Sequence, residues 1–243
     1  MDDFSSRLAR IQDAITSTAQ KVGRDPAEIE LIAVSKTQPG DAIQEAMRAG
    51  ITHFGENKVQ EARGKIDSLG RGVWHLIGHL QSNKAREAVR LFDSIDSVDR
   101  SELAVEINHR ADALGKIQNV LLQVNIARES TKYGCTPETA RALAEEMNAL
   151  PRLCLRGLMT IAPYAPEPEK SRPHFAALRQ LRDQIEADTG LRLPVLSMGM
   201  SGDFDVAIEE GSSCLRIGTA LFGERLKFKQ RQIDLITDDF QAP

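Results

Sequence analysis

Lys36 stands at the end of the apolar run Leu31-Ile-Ala-Val-Ser-Lys-Thr-Gln38, so a strand-like segment delivers a single amine into a polar turn. An amine held at a strand end beside a cavity is desolvated, which lowers its pKa and leaves a neutral nucleophile for Schiff-base chemistry. The competing reading is a surface lysine that merely ends a strand. Far along the chain, Val195-Leu-Ser-Met-Gly-Met-Ser-Gly-Asp-Phe204 leads from a strand through small residues into an acid-started helix. Such a turn offers backbone N–H groups and a hydroxyl to an anion, with Ser201 and Gly202 as the binding candidates. The segment Cys214-Leu-Arg-Ile-Gly-Thr219 repeats the pattern and adds Arg216, Gly218 and Thr219. Two adjacent strand ends of this kind are the usual phosphate cradle of a (β/α)8 barrel. Either alone is ordinary turn chemistry; in tandem, with a lysine on the first strand, they read as a phosphate site beside a Schiff-base amine.

The elements needed to position these residues are legible. Apolar runs at Leu31–Ser35, Ile51–Phe54, Val73–Ile77, Ser94–Val98, Val120–Asn125, Leu153–Met159, Val195–Met198 and Cys214–Ile217 predict eight strands. Amphipathic stretches between them (39–49, 57–69, 83–91, 100–114, 137–150, 171–189 and 204–210) predict helices, and this alternation implies a closed parallel barrel. A further helix, Phe4–Val22, precedes the first strand and is expected on the barrel floor or flank. Helix signals include Pro39 and Pro137 near first turns, Asp99 before Arg100, and Gly115 and Gly190 past helix ends. On this count Lys36, Asn57, His79, Arg128, Lys132, Thr160, Ser201 and Arg216 follow strands, on the face where such barrels build their sites. The Pro-rich loop Ala162-Pro-Tyr-Ala-Pro-Glu-Pro168 reads as either a partial lid or a spacer.

With 243 residues and 41% hydrophobic content the chain suffices for one core, so a single domain over 1–243 is expected, with 1–30 as an N-terminal extension and 238–243 as a frayed tail. The net charge of −4, from 35 acidic and 31 basic residues without a basic block, argues against nucleic acid and an anionic membrane surface. No apolar run approaches the ~20 residues that span a bilayer, and the polar start Met1-Asp-Asp-Phe-Ser-Ser is no secretory signal, which implies a cytoplasmic protein. Cys135, Cys154 and Cys214 are too few and too scattered for a disulfide framework or a zinc motif, and read as small apolar fillers.

Taken in order, Ala33-Val-Ser-Lys36, Phe54-Gly-Glu-Asn-Lys-Val-Gln-Glu61, Trp74-His-Leu-Ile-Gly-His-Leu-Gln-Ser-Asn-Lys84, Gly157-Leu-Met-Thr160, Ser197-Met-Gly-Met-Ser-Gly-Asp-Phe204 and Leu215-Arg-Ile-Gly-Thr219 resemble the pyridoxal phosphate homeostasis proteins, the proline-synthetase-co-transcribed family. The resemblance runs from about Leu31 to Gly223. It implies a single (β/α)8 TIM barrel of the fold-type III kind, related to the N-terminal domain of alanine racemase. That barrel would carry pyridoxal 5′-phosphate (PLP) as an aldimine on Lys36, with its phosphate on Ser201, Gly202, Gly218 and Thr219 and Arg216 against the pyridine nitrogen. A guanidinium does not readily give up its proton, so that nitrogen would stay unprotonated and the ring would be a weak electron sink. The other reading of Arg216 is an ion pair with a barrel carboxylate. Asn57 either bonds the phenolic oxygen or caps a helix. His75 and His79 share one side of their strand, one facing the ring and the other a polar barrel layer, whereas His53, His109 and His174 receive no role. Met159, with Thr160, is placed on the pocket floor or in packing. Lys132 is either a secondary PLP amine or a solvated loop lysine.

The function implied is a PLP carrier, not an enzyme: a monomer that holds the cofactor and passes it on, with apo PLP-dependent enzymes as acceptors. Two alternatives compete. An amino-acid racemase of the alanine racemase type would need a second base, supplied in those enzymes by a partner's C-terminal domain. Here only Tyr133 and Tyr164 are available, and about twenty residues follow Gly223, so that domain is expected to be missing. A Schiff-base aldolase on a phosphate-binding barrel would use Lys36 without a cofactor.

Overall fold

The computed structural model of the protein describes residues 3–70 and 72–223; the expected frayed tail at 238–243 lies outside them. Eight strands, β1 (Glu30–Val34), β2 (His53–Glu56), β3 (Val73–Leu76), β4 (Ser94–Val98), β5 (Gln118–Gln123), β6 (Leu153–Met159), β7 (Val195–Ser197) and β8 (Cys214–Ile217), pair in parallel and in chain order. The closure is direct: Ile32 of β1 stands opposite His53 on one side and Arg216 on the other. The helices are α1 (Phe4–Lys21), α2 (Gly40–Arg48), α3 (Val59–Leu69), α4 (Ala85–Leu91), α5 (Ser101–Ala113), α6 (Pro137–Ala149), α7 (Arg172–Thr189), α8 (Phe204–Glu209) and α9 (Thr219–Phe222).

Parallel strands joined by helices bury both faces, and the two faces differ here. Ala33, Phe54, Trp74, Leu122 and Leu196 join helix residues such as Ile43, Ile107 and Phe175 in one apolar core between barrel and helices. Each fully buried side chain of that size contributes ~1.5–3 kcal/mol, so this outer layer carries most of the stability. The barrel lumen is more polar, holding His75, Ser94, Asp96, Gln123 and Arg216 among its buried groups. Helix ends follow local chemistry: α3 and α7 stop at Gly70 and Gly190, both left-handed, with φ of 61° and 72°. A Cβ on Gly157 would stand 1.9 Å from the Val195 carbonyl oxygen, so β6 reaches β7 only because that position is glycine.

Several boundaries differ from the sequence expectation. β2 starts two residues late, because buried Ile51 donates its N–H to Ala46 and completes the end of α2. The segment expected to continue β5 to Asn125 instead joins the next loop, where Asn125 donates to the Cys135 carbonyl at 2.9 Å. The cap expected at Asp99 is Arg100, without a side-chain cap; Asp99 pairs with that arginine at 2.6 Å. α1 lies on the flank: Arg7 donates to the Leu221 carbonyl at 2.6 Å, and the Phe4 and Phe222 rings sit 5.4 Å apart. All three cysteines are free, with Cys135 and Cys214 buried. Burial pushes the Cys135 thiol up to about 12, consistent with an inert filler. Among the described residues no helix is long and apolar enough to cross a membrane.

Candidate functional site

β1 delivers Lys36 to the rim of the barrel. Past the strand, Thr37 takes a left-handed conformation with φ of 64°, unusual for a β-branched residue. Two contacts hold this turn: the Thr37 N–H donates to the Glu61 carboxylate, and Gln38 donates back to the Ser35 carbonyl at 3.0 Å. Beneath it lies a buried network in which Ser35 donates to Glu56 Oε1 at 2.6 Å. Lys65 of α3 donates to that same oxygen at 2.7 Å and to the Ser35 carbonyl at 2.8 Å. Burial raises the Glu56 pKa against the opposing pull of Lys65 and Ser35. Charge-assisted bonds in a low-dielectric setting fix the end of β1, and with it the origin of the Lys36 side chain.

Lys36 lines a cavity of about 280 Å³, shared with Asn57, Arg216, Gly218, Thr219, Ser201 and Gly202. That volume is near the small end of ~300–1,000 Å³ ligand pockets. The two cradle loops are tied together, since Ser201 Oγ accepts from the Ala220 N–H at 3.2 Å and keeps its own proton to donate. The main-chain N–H groups of Gly202 and Thr219 donate to no other described residue. Gly202 has no positive φ, and a Cβ there would meet nothing within 4 Å. The fold therefore does not require glycine at that position, whereas a ligand approaching the backbone through the cavity would. Gly199 is different: with φ of 92°, its Cβ would stand 2.6 Å from that of Ala207. Asp203 braces the same turn, accepting from the Met200 N–H at 2.7 Å and the Ser171 hydroxyl at 2.9 Å.

Arg216 sits within β8, one residue before its end, and is 4% exposed. It donates to Ser197 Oγ at 2.6 Å and to the Thr160 carbonyl at 2.7 Å, which leaves N–H donors for the cavity it lines. Burial holds its pKa below the usual guanidinium value. Its partners are neutral oxygens, and the expected alternative of a barrel carboxylate partner is not what these hydrogen bonds show.

Several of the sequence candidates lie outside this cavity, His75 among them, in the barrel lumen beside Asp96. His79 stacks on Tyr133 with ring centroids 3.6 Å apart, lining an adjoining depression. Met159 is fully buried and serves packing, although neighbouring Thr160 supplies the carbonyl for Arg216. The Lys132 amine is committed to Glu129 at 2.8 Å and to the Ala162 carbonyl at 3.0 Å, and so tethers the loop after β6. Asn57 is no cap, because α3 starts at Val59 behind Lys58. Arg128, on the same rim, is exposed and pairs with Glu138. Sequence reasoning missed Ser197, whose only signal is a hydroxyl on a strand, and the Ser35–Glu56–Lys65 support, which joins residues from three separate segments. It also left open the Pro-rich loop, whose Pro163, Tyr164 and Ala165 form one wall of the cavity.

A closed barrel with a strand-one lysine facing tandem glycine–hydroxyl loops defines the class. Residues 7–226 match the family model described as alanine racemase, N-terminal domain. The chain belongs, within that class, to the pyridoxal phosphate homeostasis protein family. It is 46% identical to the pyridoxal phosphate homeostasis protein of Pseudomonas aeruginosa, over 93% of this chain and 97% of that one. It is also similar to PipY of Synechococcus elongatus PCC7942, solved with PLP bound, at a TM-score of 0.79 and 39% identity over 91% of this chain and all of that one. The alanine racemase of Clostridium difficile 630 shares the fold alone, at a TM-score of 0.70 and 17% identity over 92% of this chain and 57% of the racemase.

Proposed function

We infer that this protein binds PLP through Lys36 and serves PLP homeostasis inside the cell, holding the cofactor and passing it to apo-enzymes. The observation that carries this is the cavity in which Lys36, Arg216 and the two cradle loops converge, in a chain whose relatives bear that name and include one solved with PLP bound. When bound, PLP supplies a reactive aldehyde and, in enzymes, an electron sink.

In this reading each residue has a defined task. The Lys36 amine would hold the cofactor at its aldehyde end, so that the reactive group is masked. The Ser201 and Thr219 hydroxyls and the N–H groups of Gly202 and Thr219, with the Gly218 loop, would receive the phosphate, where several charge-assisted bonds can converge. Asn57, which lines the cavity, would bond the phenolic oxygen. Arg216, pinned by Ser197 and Thr160, would donate to the ring nitrogen without delivering a proton. That arrangement favours holding over carbanion chemistry. A racemase reading would draw its second base from Tyr164, which lines the cavity, yet that residue is 92% exposed and its hydroxyl bonds to no described residue. We place the protein in the cytoplasm, as a monomer with one domain.

The test has two arms. PLP-loaded protein incubated with L-alanine or L-serine should yield no D-enantiomer above the background given by free PLP, since an absent general base alone costs ~100- to 10,000-fold. The same protein should reactivate an apo-aminotransferase in the presence of a trap for free PLP. Racemisation at enzymatic rates would replace this reading with the racemase one, and failure to transfer would reduce the role to storage.

A further inference from the structure

At the opposite end of the barrel, lumen residues from the N-terminal parts of β1, β2 and β3 bring together groups that the cofactor site does not use. His53 Nδ1 lies 3.1 Å from His75 Nε2 and 3.2 Å from Glu30 Oε2, and His75 Nε2 lies 3.9 Å from Glu30 Oε1. Three ligand-capable atoms, one from each residue, fit within 4.8 Å of one another. We propose that Glu30, His53 and His75 bind a divalent cation of the zinc class at the N-terminal mouth of the barrel.

Zinc bonds of ~2.0–2.1 Å in a tetrahedron put ligand atoms ~3.3 Å apart, which is the scale of these separations. The second shell is also in place. His75 is 8% exposed, and its Nδ1–H donates to Asp96 Oδ2 at 3.0 Å, while Ser94 donates to the other Asp96 oxygen at 2.5 Å. A carboxylate behind one ring nitrogen fixes the tautomer and aims the lone pair of the other, the arrangement that orients histidine toward a metal. A plain hydrogen bond between His53 and His75 needs neither the converging Glu30 nor this backing. The three residues line a cavity of about 340 Å³ that also reaches Asn119 and Arg156, so water has room as a fourth ligand. Two histidines, one carboxylate and an open position suit zinc or cobalt; magnesium and calcium favour all-oxygen sites. Because α1 packs on the flank, by Arg7 on Leu221, it does not compete for this mouth.

The experiment is a Co2+ titration of the full chain, without a histidine tag, after chelator treatment and removal of PLP, which itself binds metals. One equivalent should develop visible d–d absorption of tetrahedral intensity, and Zn2+ should erase it. His53→Gln and Glu30→Gln should each weaken Co2+ binding at least ~10-fold, and Asp96→Asn ~10- to 100-fold, while the folded chain still takes up PLP. Should Glu30→Gln or Asp96→Asn fail to fold, His53→Gln, at the more open position, carries the test. A spectrum of octahedral weakness, a stoichiometry well below one, or a folded His53→Gln chain that binds Co2+ as tightly as the native one would each overturn the site.

Discussion

The turn that presents Lys36 is held by residues distant in sequence, Glu61 and Lys65, and the proposed phosphate cradle shows the same logic in single atoms. Ser201 already accepts from Ala220, so its proton is what a phosphate would receive. Replacing both hydroxyls, Ser201→Ala with Thr219→Val, should weaken PLP by roughly 100- to 10,000-fold, at ~1.5–3 kcal/mol for each bond to a charged group. Unphosphorylated pyridoxal should lose almost nothing. Equilibrium titration with the two ligands decides it, and equal losses would remove these residues from the cradle. Gly202 gives an independent check. Since a Cβ there meets nothing within 4 Å, Gly202→Ala should leave stability unchanged or raise it by up to ~1 kcal/mol through the unfolded state. The same change should weaken PLP more than tenfold. A loss of stability without a loss of affinity would make that glycine structural.

Among the elements, the turn after β7 is tightly constrained at its backbone. Gly199→Ala forces an L side chain to φ of 92° and drives its Cβ to 2.6 Å from that of Ala207. It should cost at least ~2 kcal/mol, since strain of this kind alone is worth ~1–3 kcal/mol, and lower the denaturation midpoint; an unchanged midpoint would mean that the turn relaxes freely. The strand and helix order was legible because parallel strands read as short apolar runs separated by 3.6-period segments. Ile51 misled that reading, being buried by the end of α2 and not by a strand. The lumen was legible only in part: a polar barrel layer was expected for one of His75 and His79, and His75 lies there beside Asp96, but Glu30, His53, His75 and Asp96 are scattered over four strands, and only the barrel register makes them neighbours. Ser201, Gly202, Gly218 and Thr219 could be proposed from the sequence because such loops are local in it, and they line one cavity with Lys36. His79 lies three residues past the end of β3, so strand periodicity does not carry to it, and its ring stacks on Tyr133.

For the molecule as a whole, two ends of one barrel carry different chemistry: a lysine and phosphate-type loops at the C-terminal rim, and a histidine–carboxylate cluster at the N-terminal mouth. The helices that wrap the strands bury the apolar layer between them, so a polar lumen is compatible with a stable fold and leaves both ends available to ligands. The central claim is that PLP is held on Lys36. Borohydride reduction of the PLP-treated protein, followed by peptide mass analysis, should place the cofactor on the peptide containing Lys36 and abolish the visible band. Lys36→Ala should fold with an unchanged melting profile in the absence of PLP and show neither band nor adduct there. A native-like visible band in that variant, or a reduced adduct found only on another lysine such as Lys132, would contradict the account.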